Sequence, residues 1–162
     1  GFRRTQAGFA AGGPLARPRA DGTGSFAFAA LEYTTEDEQR VQSTAALTFL
    51  GREVRDTYRA FARLDHGWSP TQTTTLRVAA SHVNRAGEGS GIVAPEADVT
   101  VQRIGTATAL THRSALRGGR ASHVTSVQLG TFAWRFPPTA SSFATPQVTI
   151  ARVLGRDTAA VG

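Results

Sequence analysis

Arg59, Arg63, Asp65 and Arg77 are the residues best placed to do chemistry, alternating along a strand-like stretch, Thr57 to Val83, with sequence TYRAFARLDHGWSPTQTTTLRVAASHV. Guanidinium groups are too costly to bury in a dry core, and a row of them suits a water-filled or plugged interior. Such a row could form a charge ladder that stabilises the wall. Other constellations are weaker. His66, His82, His112 and His123 invite a metal reading, but a site needs three or four converging ligands, and isolated interfacial or surface histidines are expected. Ser, His and Asp occur without a nucleophile elbow, so no enzyme is expected. Glu36, Asp37 and Glu38 lack the alternation and turn glycine of a calcium loop. Gly87 to Gly91, GEGSG, lacks the Lys-Ser or Lys-Thr and the helix of a phosphate loop. The chain has no Cys, which excludes thiolate metal sites and a cysteine nucleophile, and no cofactor is expected.

The element that must position the charged set is a hairpin. Tyr58, Ala60, Ala62, Leu64, His66 and Trp68 share one face, and Thr57, Arg59, Phe61, Arg63 and Asp65 the other, a period of two. Ser69-Pro70-Thr71-Gln72 is a turn signal, after which Thr74, Leu76, Val78 and Ala80 alternate with Thr75, Arg77, Ala79 and Ser81. Tyr58 and Trp68 stand about 33 Å apart at about 3.3 Å per residue. Tilted by about 40°, that projects to about 25 Å, the height of the apolar band between the aromatic girdles of a transmembrane barrel. Tyr58 and Trp68 are therefore expected to face lipid, and Arg59, Arg63, Asp65 and Arg77 the lumen. Pairing Ser69 with Thr73 is the expected register, because it sets Asp65 against Arg77, Leu64 against Val78 and Ala62 against Ala80; a two-residue shift would oppose Arg63 and Arg77.

The 162 residues suffice for one domain, but the hydrophobic content of 40% is low for a self-contained soluble core. No run of about 18 apolar residues exists, so only a barrel could take the chain through a bilayer. All 18 basic residues are Arg, and the net charge is +6. They are spaced along strand faces and turns instead of gathered in a patch, which argues against nucleic acid as a partner. The chain starts at Gly1, lacks Met, and enters strand-like sequence at once, so a fragment is expected.

Strands are expected over residues 1–13, Ser25 to Thr35, Thr57 to Val83 as a hairpin, Val99 to Arg113 and Ala121 to Phe136. Thr34 to Arg40 reads as a charged exposed loop, Val41 to Leu50 as a short strand or loop, Asn84 to Asp98 as a long loop, and Ser114 to Arg120 as a turn. The fold class is thus all-β, an antiparallel meander of long hairpins forming a partial, open transmembrane β-barrel segment. It has about six strands over residues 1–136, with residues 137–162 as loop or edge and Gln147 to Val153 as a possible strand.

Phe2-Arg3, Gln6, Gly8 and Gly12-Gly13-Pro14-Leu15, followed by Phe26, Phe28 and Glu32, resemble a barrel segment of bacterial TonB-dependent outer-membrane receptors. The nearest subgroup carries an N-terminal carboxypeptidase-regulatory-like domain. Arg63-Leu64-Asp65, Ser69-Pro70 and Leu76-Arg77 look like the next hairpin of that family. The turn from Ala16 to Gly24 is longer than usual, and Thr35 stands where an arginine often follows the glutamate. The resemblance implies an interior slice of a barrel of about 22 strands. It also implies a bacterial outer-membrane location, and as partners membrane lipid, the rest of the barrel, its plug domain and the TonB complex; in an intact receptor of that kind Arg59, Arg63, Asp65 and Arg77 would meet the plug or line the substrate path. Such a slice would take up no substrate alone. The rival expectation is a soluble antiparallel β-barrel or sandwich that binds a ligand.

Overall fold

In a computed structural model the chain is described at residues 1–16, 21, 23–43, 48–86, 92–93, 99–137, 148–150 and 159–161. It is all-β. The strands are β1 (Phe2–Pro14), β2 (Gly24–Ser43), β3 (Thr48–Ser69), β4 (Gln72–Ala86), β5 (Ile92–Val93), β6 (Thr100–Leu116), β7 (Ala121–Arg135), β8 (Val148–Ile150) and β9 (Ala159–Val161). Six of them form one open antiparallel sheet in the order β1-β2-β3-β4-β6-β7, and β5, β9 and β8 form a small second sheet. No helix among the described residues is long and apolar enough to cross a membrane.

The long sheet is a meander because each strand pairs with the neighbour that a turn or loop delivers. Its alternation does not wrap a core: among the described residues the one buried hydrophobic is Val101. Among the described residues, then, the long sheet is a single layer, and its outer strands β1 and β7 each leave one edge without a neighbour.

Two expectations are corrected. Thr34 to Arg40 is not a loop but the continuation of β2, paired with β1 from Phe2↔Glu38 to Gln6↔Thr34 and with β3 from Thr34↔Thr57 to Arg40↔Gly51. Two of the charges that suggested solvent, Glu36 and Asp37, are neutralised by arginines of β1 and β3, so charge density here marks cross-strand pairing instead of a chain break. The hairpin register is also shifted by two from the one expected. A two-residue turn at Pro70–Thr71 closes on Ser69↔Gln72, an irregularity between Gly67 and Ser69 absorbs Trp68, and Leu64 faces Leu76, Ala62 faces Val78 and Arg63 faces Arg77. Pro70 holds φ negative at the first turn position, so the turn is of an unprimed type, and the irregularity between Gly67 and Ser69 accommodates its mismatch with the strand twist. Asp65 then meets Thr75 and not Arg77.

Boundaries move less elsewhere. β4 runs on through Asn84–Ala86 and β6 through Ser114–Leu116, so the last turn is the short 3-10 segment Arg117–Gly119, where Gly118 and Gly119 have φ of 65° and 91°. Both parts of Val41 to Leu50 that are described belong to strands, Val41–Ser43 to β2 and Thr48–Leu50 to β3. The GEGSG stretch lies outside the described residues.

Gly12 shows how sequence sets sheet packing. A Cβ there would lie 2.8 Å from the Phe28 ring and 3.1 Å from the Ala27 carbonyl oxygen, whereas at Gly13 it would meet nothing within 4 Å. The aromatic ring of the neighbouring strand covers the glycine. Gly12→Val should therefore destabilise the folded protein by about 1–3 kcal/mol through overpacking, while Gly13→Ala stays close to wild type. Urea titration of the two variants side by side checks this, and equal midpoints would refute it.

Candidate functional site

Cross-strand pairing turns the alternation of each strand into two sheet-wide faces. One is apolar. Its middle row reads Ala11, Ala29, Ala62, Val78, Thr108 and Leu129, one residue from each of the six strands. Four residues to one side lies an aromatic row: the Tyr33 and Tyr58 rings are 4.9 Å apart, the His82 ring stacks on Tyr58 at 6.1 Å, and the Tyr33 hydroxyl donates to Asp56 at 2.8 Å.

Four residues to the other side lies a second row. His66 and Trp68 meet edge-on at 4.2 Å, and the Trp68 indole N–H donates to Thr74 Oγ1 at 2.8 Å. Ser25 Oγ lies 2.7 Å from His66 Nδ1, and Thr74 Oγ1 2.9 Å from His112 Nδ1. His123 bonds Thr125 at 2.7 Å, so the four histidines all project from this face. They contact aromatics or hydroxyls, and among the described residues no group of three His, Asp or Glu could hold a metal ion.

The opposite face carries ion pairs at both ends and is hollow in the middle, with Phe132 and Trp134 exposed along its β7 margin. At the end nearer the long β4–β6 connection, Arg59 Nη1 lies 2.6 Å from Glu32 Oε1, Glu36 is shared between Arg55 at 3.3 Å and Arg4 at 3.6 Å, and Arg85 pairs with Glu53. Arg103 lies over the Trp134 ring, 4.6 Å from its centre. Thr34, Thr57, Glu53 and Val101, all on this face, are less than a tenth exposed. The middle is a depression of about 790 Å³ floored largely by Gly8, Ala10, Ala30, Ala79, Gly105 and Ala107, with Phe61 at its side. Beyond it Arg63 Nε is 2.7 Å from Asp65 Oδ2, and the Thr75 hydroxyl donates to Asp65 at 2.6 Å.

Arg59, Arg63, Asp65 and Arg77 thus share a face, as their alternation implies, but divide into two groups. Arg59 joins the paired end through Glu32, while Arg63, Asp65 and Arg77 cluster near the Pro70–Thr71 turn. Tyr58 and Trp68 share the apolar face and sit in its two bounding rows. The acidic partners Glu32, Glu36 and Glu53 escaped the sequence reading. A signal existed: Glu32 and Glu36 have the same four-residue spacing as Arg55 and Arg59, which antiparallel pairing brings face to face. Glu36 and Glu38 cannot converge with Asp37, which points to the other side and is bonded there by Arg52 at 2.9 Å. That bond, four residues beyond the tyrosine row, holds the Asp37 carboxyl below its ordinary range and raises the Arg52 guanidinium above its own. Comparison with protein-family models, with curated proteins and with solved structures returns no match to this chain in any of the three.

Proposed function

We propose that the chain is part of the wall of a β-barrel in a bacterial outer membrane, with its apolar face toward lipid and its polar face toward the lumen. In this reading the barrel belongs to a TonB-dependent receptor that takes up a substrate, and its partners are lipid, the remaining strands, a plug and the TonB complex. One observation carries it: the apolar face is a band about eight residues tall, bounded by the Tyr33–Tyr58–His82 row on one side and the His66–Trp68–His112 row on the other, whereas the reverse face carries ion pairs. Amphipathic rings at both limits of an apolar band match the two water–lipid interfaces. Continuation of β2 and β3 by about ten residues past Tyr33 and Tyr58 fits strands that rise out of the bilayer on the long-loop side. The soluble alternative would have to cover Phe9, Leu31 and Leu129, which are 68%, 60% and 71% exposed.

The two tryptophans provide the test, because Trp68 lies on the apolar face and Trp134 on the polar one. In lipid vesicles containing acyl-brominated phospholipid, a Trp134→Phe protein, whose fluorescence comes from Trp68, should be quenched strongly. A Trp68→Phe protein should be quenched by aqueous acrylamide and little by the lipid. Equal lipid quenching of both, or none of Trp68, would remove the barrel reading.

A further inference from the structure

We propose that the polar face carries an anion-binding station near the Pro70–Thr71 turn, built by Arg63, Arg77 and Arg113, that holds a small solute with two or more oxyanion groups. It rests on the reading above insofar as this face must be wet. The cluster breaks a local rule of charge matching. At the far end of the same face like charges also stand opposite, Arg55 to Arg85 and Glu38 to Glu53, but arginines there find carboxylates: Arg59 bonds Glu32, Arg55 and Arg4 share Glu36, and Arg85 bonds Glu53. Near the turn the matching stops. Arg63 and Arg77 stand directly opposite each other on β3 and β4, where side chains start about 4.5–5.5 Å apart and like charges repel. Asp65 is the single carboxylate of the cluster; it is bonded by Arg63 and by the Thr75 hydroxyl and also attracts Arg77, so one carboxylate faces an excess of guanidinium groups. Arg77 and Arg113 make no ion pair among the described residues, and both are exposed.

The excess charge is also spaced for a ligand. Arg77 and Arg113 lie on adjacent strands, four residues apart along them, or about 13 Å, and each side chain can reach about half that way. Between them runs a row of hydroxyls, Thr75, Thr111 and Ser126, in which Thr111 and Ser126 bond at 3.1 Å. Two guanidinium forks with hydroxyls between them match two carboxylates or two phosphates on one molecule, each fork able to bind in bidentate fashion. A sheet that repels itself at one place, beside a hollow open to water, keeps that cost where a ligand offsets it. A single anion would leave one arginine unmet, which selects polyanions over acetate-like ligands.

Titration of the protein in detergent micelles, with arginine side-chain N–H signals followed by NMR, tests this. Citrate is the tricarboxylate probe, inorganic pyrophosphate the phosphate probe, and acetate the single-charge comparison. Citrate or pyrophosphate should shift the Arg63, Arg77 and Arg113 signals saturably, and the tighter of the two names the solute class. Arg77→Gln and Arg113→Gln should each weaken that binding about tenfold or more, whereas Arg3→Gln, an equal charge change on the other face, should leave it intact. Arg77→Lys keeps the charge and guards against misfolding of the glutamine variant; it should still bind several-fold more weakly because the fork is lost. Binding no tighter than acetate, an equal loss in Arg3→Gln, or undiminished binding in both Arg77 variants would overturn the station. Labelling of a Ser81→Cys protein in vesicles by a water-soluble maleimide separates the two readings. A labelled cysteine without polyanion binding removes the station and leaves the wet lumen standing, while an unlabelled cysteine removes both.

Discussion

Arginine in place of Val78 should destabilise the protein in lipid vesicles by about 2–4 kcal/mol, whereas arginine in place of the adjacent Ala79 should cost less than about 1 kcal/mol. Val78 stands in the middle row of the apolar face, opposite Ala62 on one side and Thr108 on the other. That row lies midway between the Tyr58 and Trp68 rows, so the new guanidinium would enter at the depth where hydrocarbon is thickest and snorkelling reaches water least easily. Ala79 faces the other way, into the 790 Å³ depression, which has room for the longer side chain. The two positions are neighbours in sequence at nearly the same distance from the turn, and the strand propensity by which Val exceeds Ala, at most about 1 kcal/mol, is smaller than the loss expected from lipid, so the difference between them reports which face meets lipid. Urea unfolding in vesicles, followed by strand circular dichroism, gives both numbers. Were the apolar face exposed to water, Val78→Arg would be almost neutral, and that outcome would sink the membrane orientation.

The part of the fold that repeats every two residues was legible in the sequence. Alternation alone assigns Ala27, Leu31 and Tyr33 to one face and Phe28 and Glu32 to the other, and the structure keeps them there. What alternation cannot set is the offset between strands. Sliding β4 by two residues leaves every side chain on its face, and charge matching then favours Asp65 opposite Arg77. The actual offset follows from the Pro70–Thr71 turn and the accommodation of Trp68, which are properties of the backbone at one point and not of the pattern. Thr34 to Arg40 misleads for a related reason: a charged run is soluble as a loop and equally soluble as a strand whose neighbours carry the opposite charge. The candidate site shows the same division. That Arg59, Arg63, Asp65 and Arg77 share a face was readable, but their separation into a neutralised end and a cationic end depends on Glu32, Glu36 and Glu53 being delivered across strands.

The paired end should prove to be the structural half of the polar face, and Arg85 is where that claim has the largest consequence. Arg85 bonds Glu53, whose side chain is 8% exposed, while Arg85 itself is 19% exposed. Glu53 faces Glu38 across β2 and β3, and Arg85 faces Arg55 across β3 and β4, so each member of the pair has a like charge opposite it. The diagonal Glu53–Arg85 bond, with the Arg55–Glu36 pair beside it, offsets both oppositions. Arg85→Met should therefore cost about 3–5 kcal/mol, since it removes a charge partner from a nearly buried carboxylate that has another carboxylate opposite it. Replacing both partners, Arg85→Met with Glu53→Leu, should recover most of the loss, because two apolar side chains of similar bulk need no charge compensation. A double-mutant cycle on unfolding free energies measures the coupling directly. Additive losses would show that the bond contributes nothing. By contrast Arg77→Gln, which relieves a repulsion, should leave stability unchanged or raise it. A face whose arginines divide in this way, one set needed for folding and the other dispensable to it, is what a wall with a binding station requires.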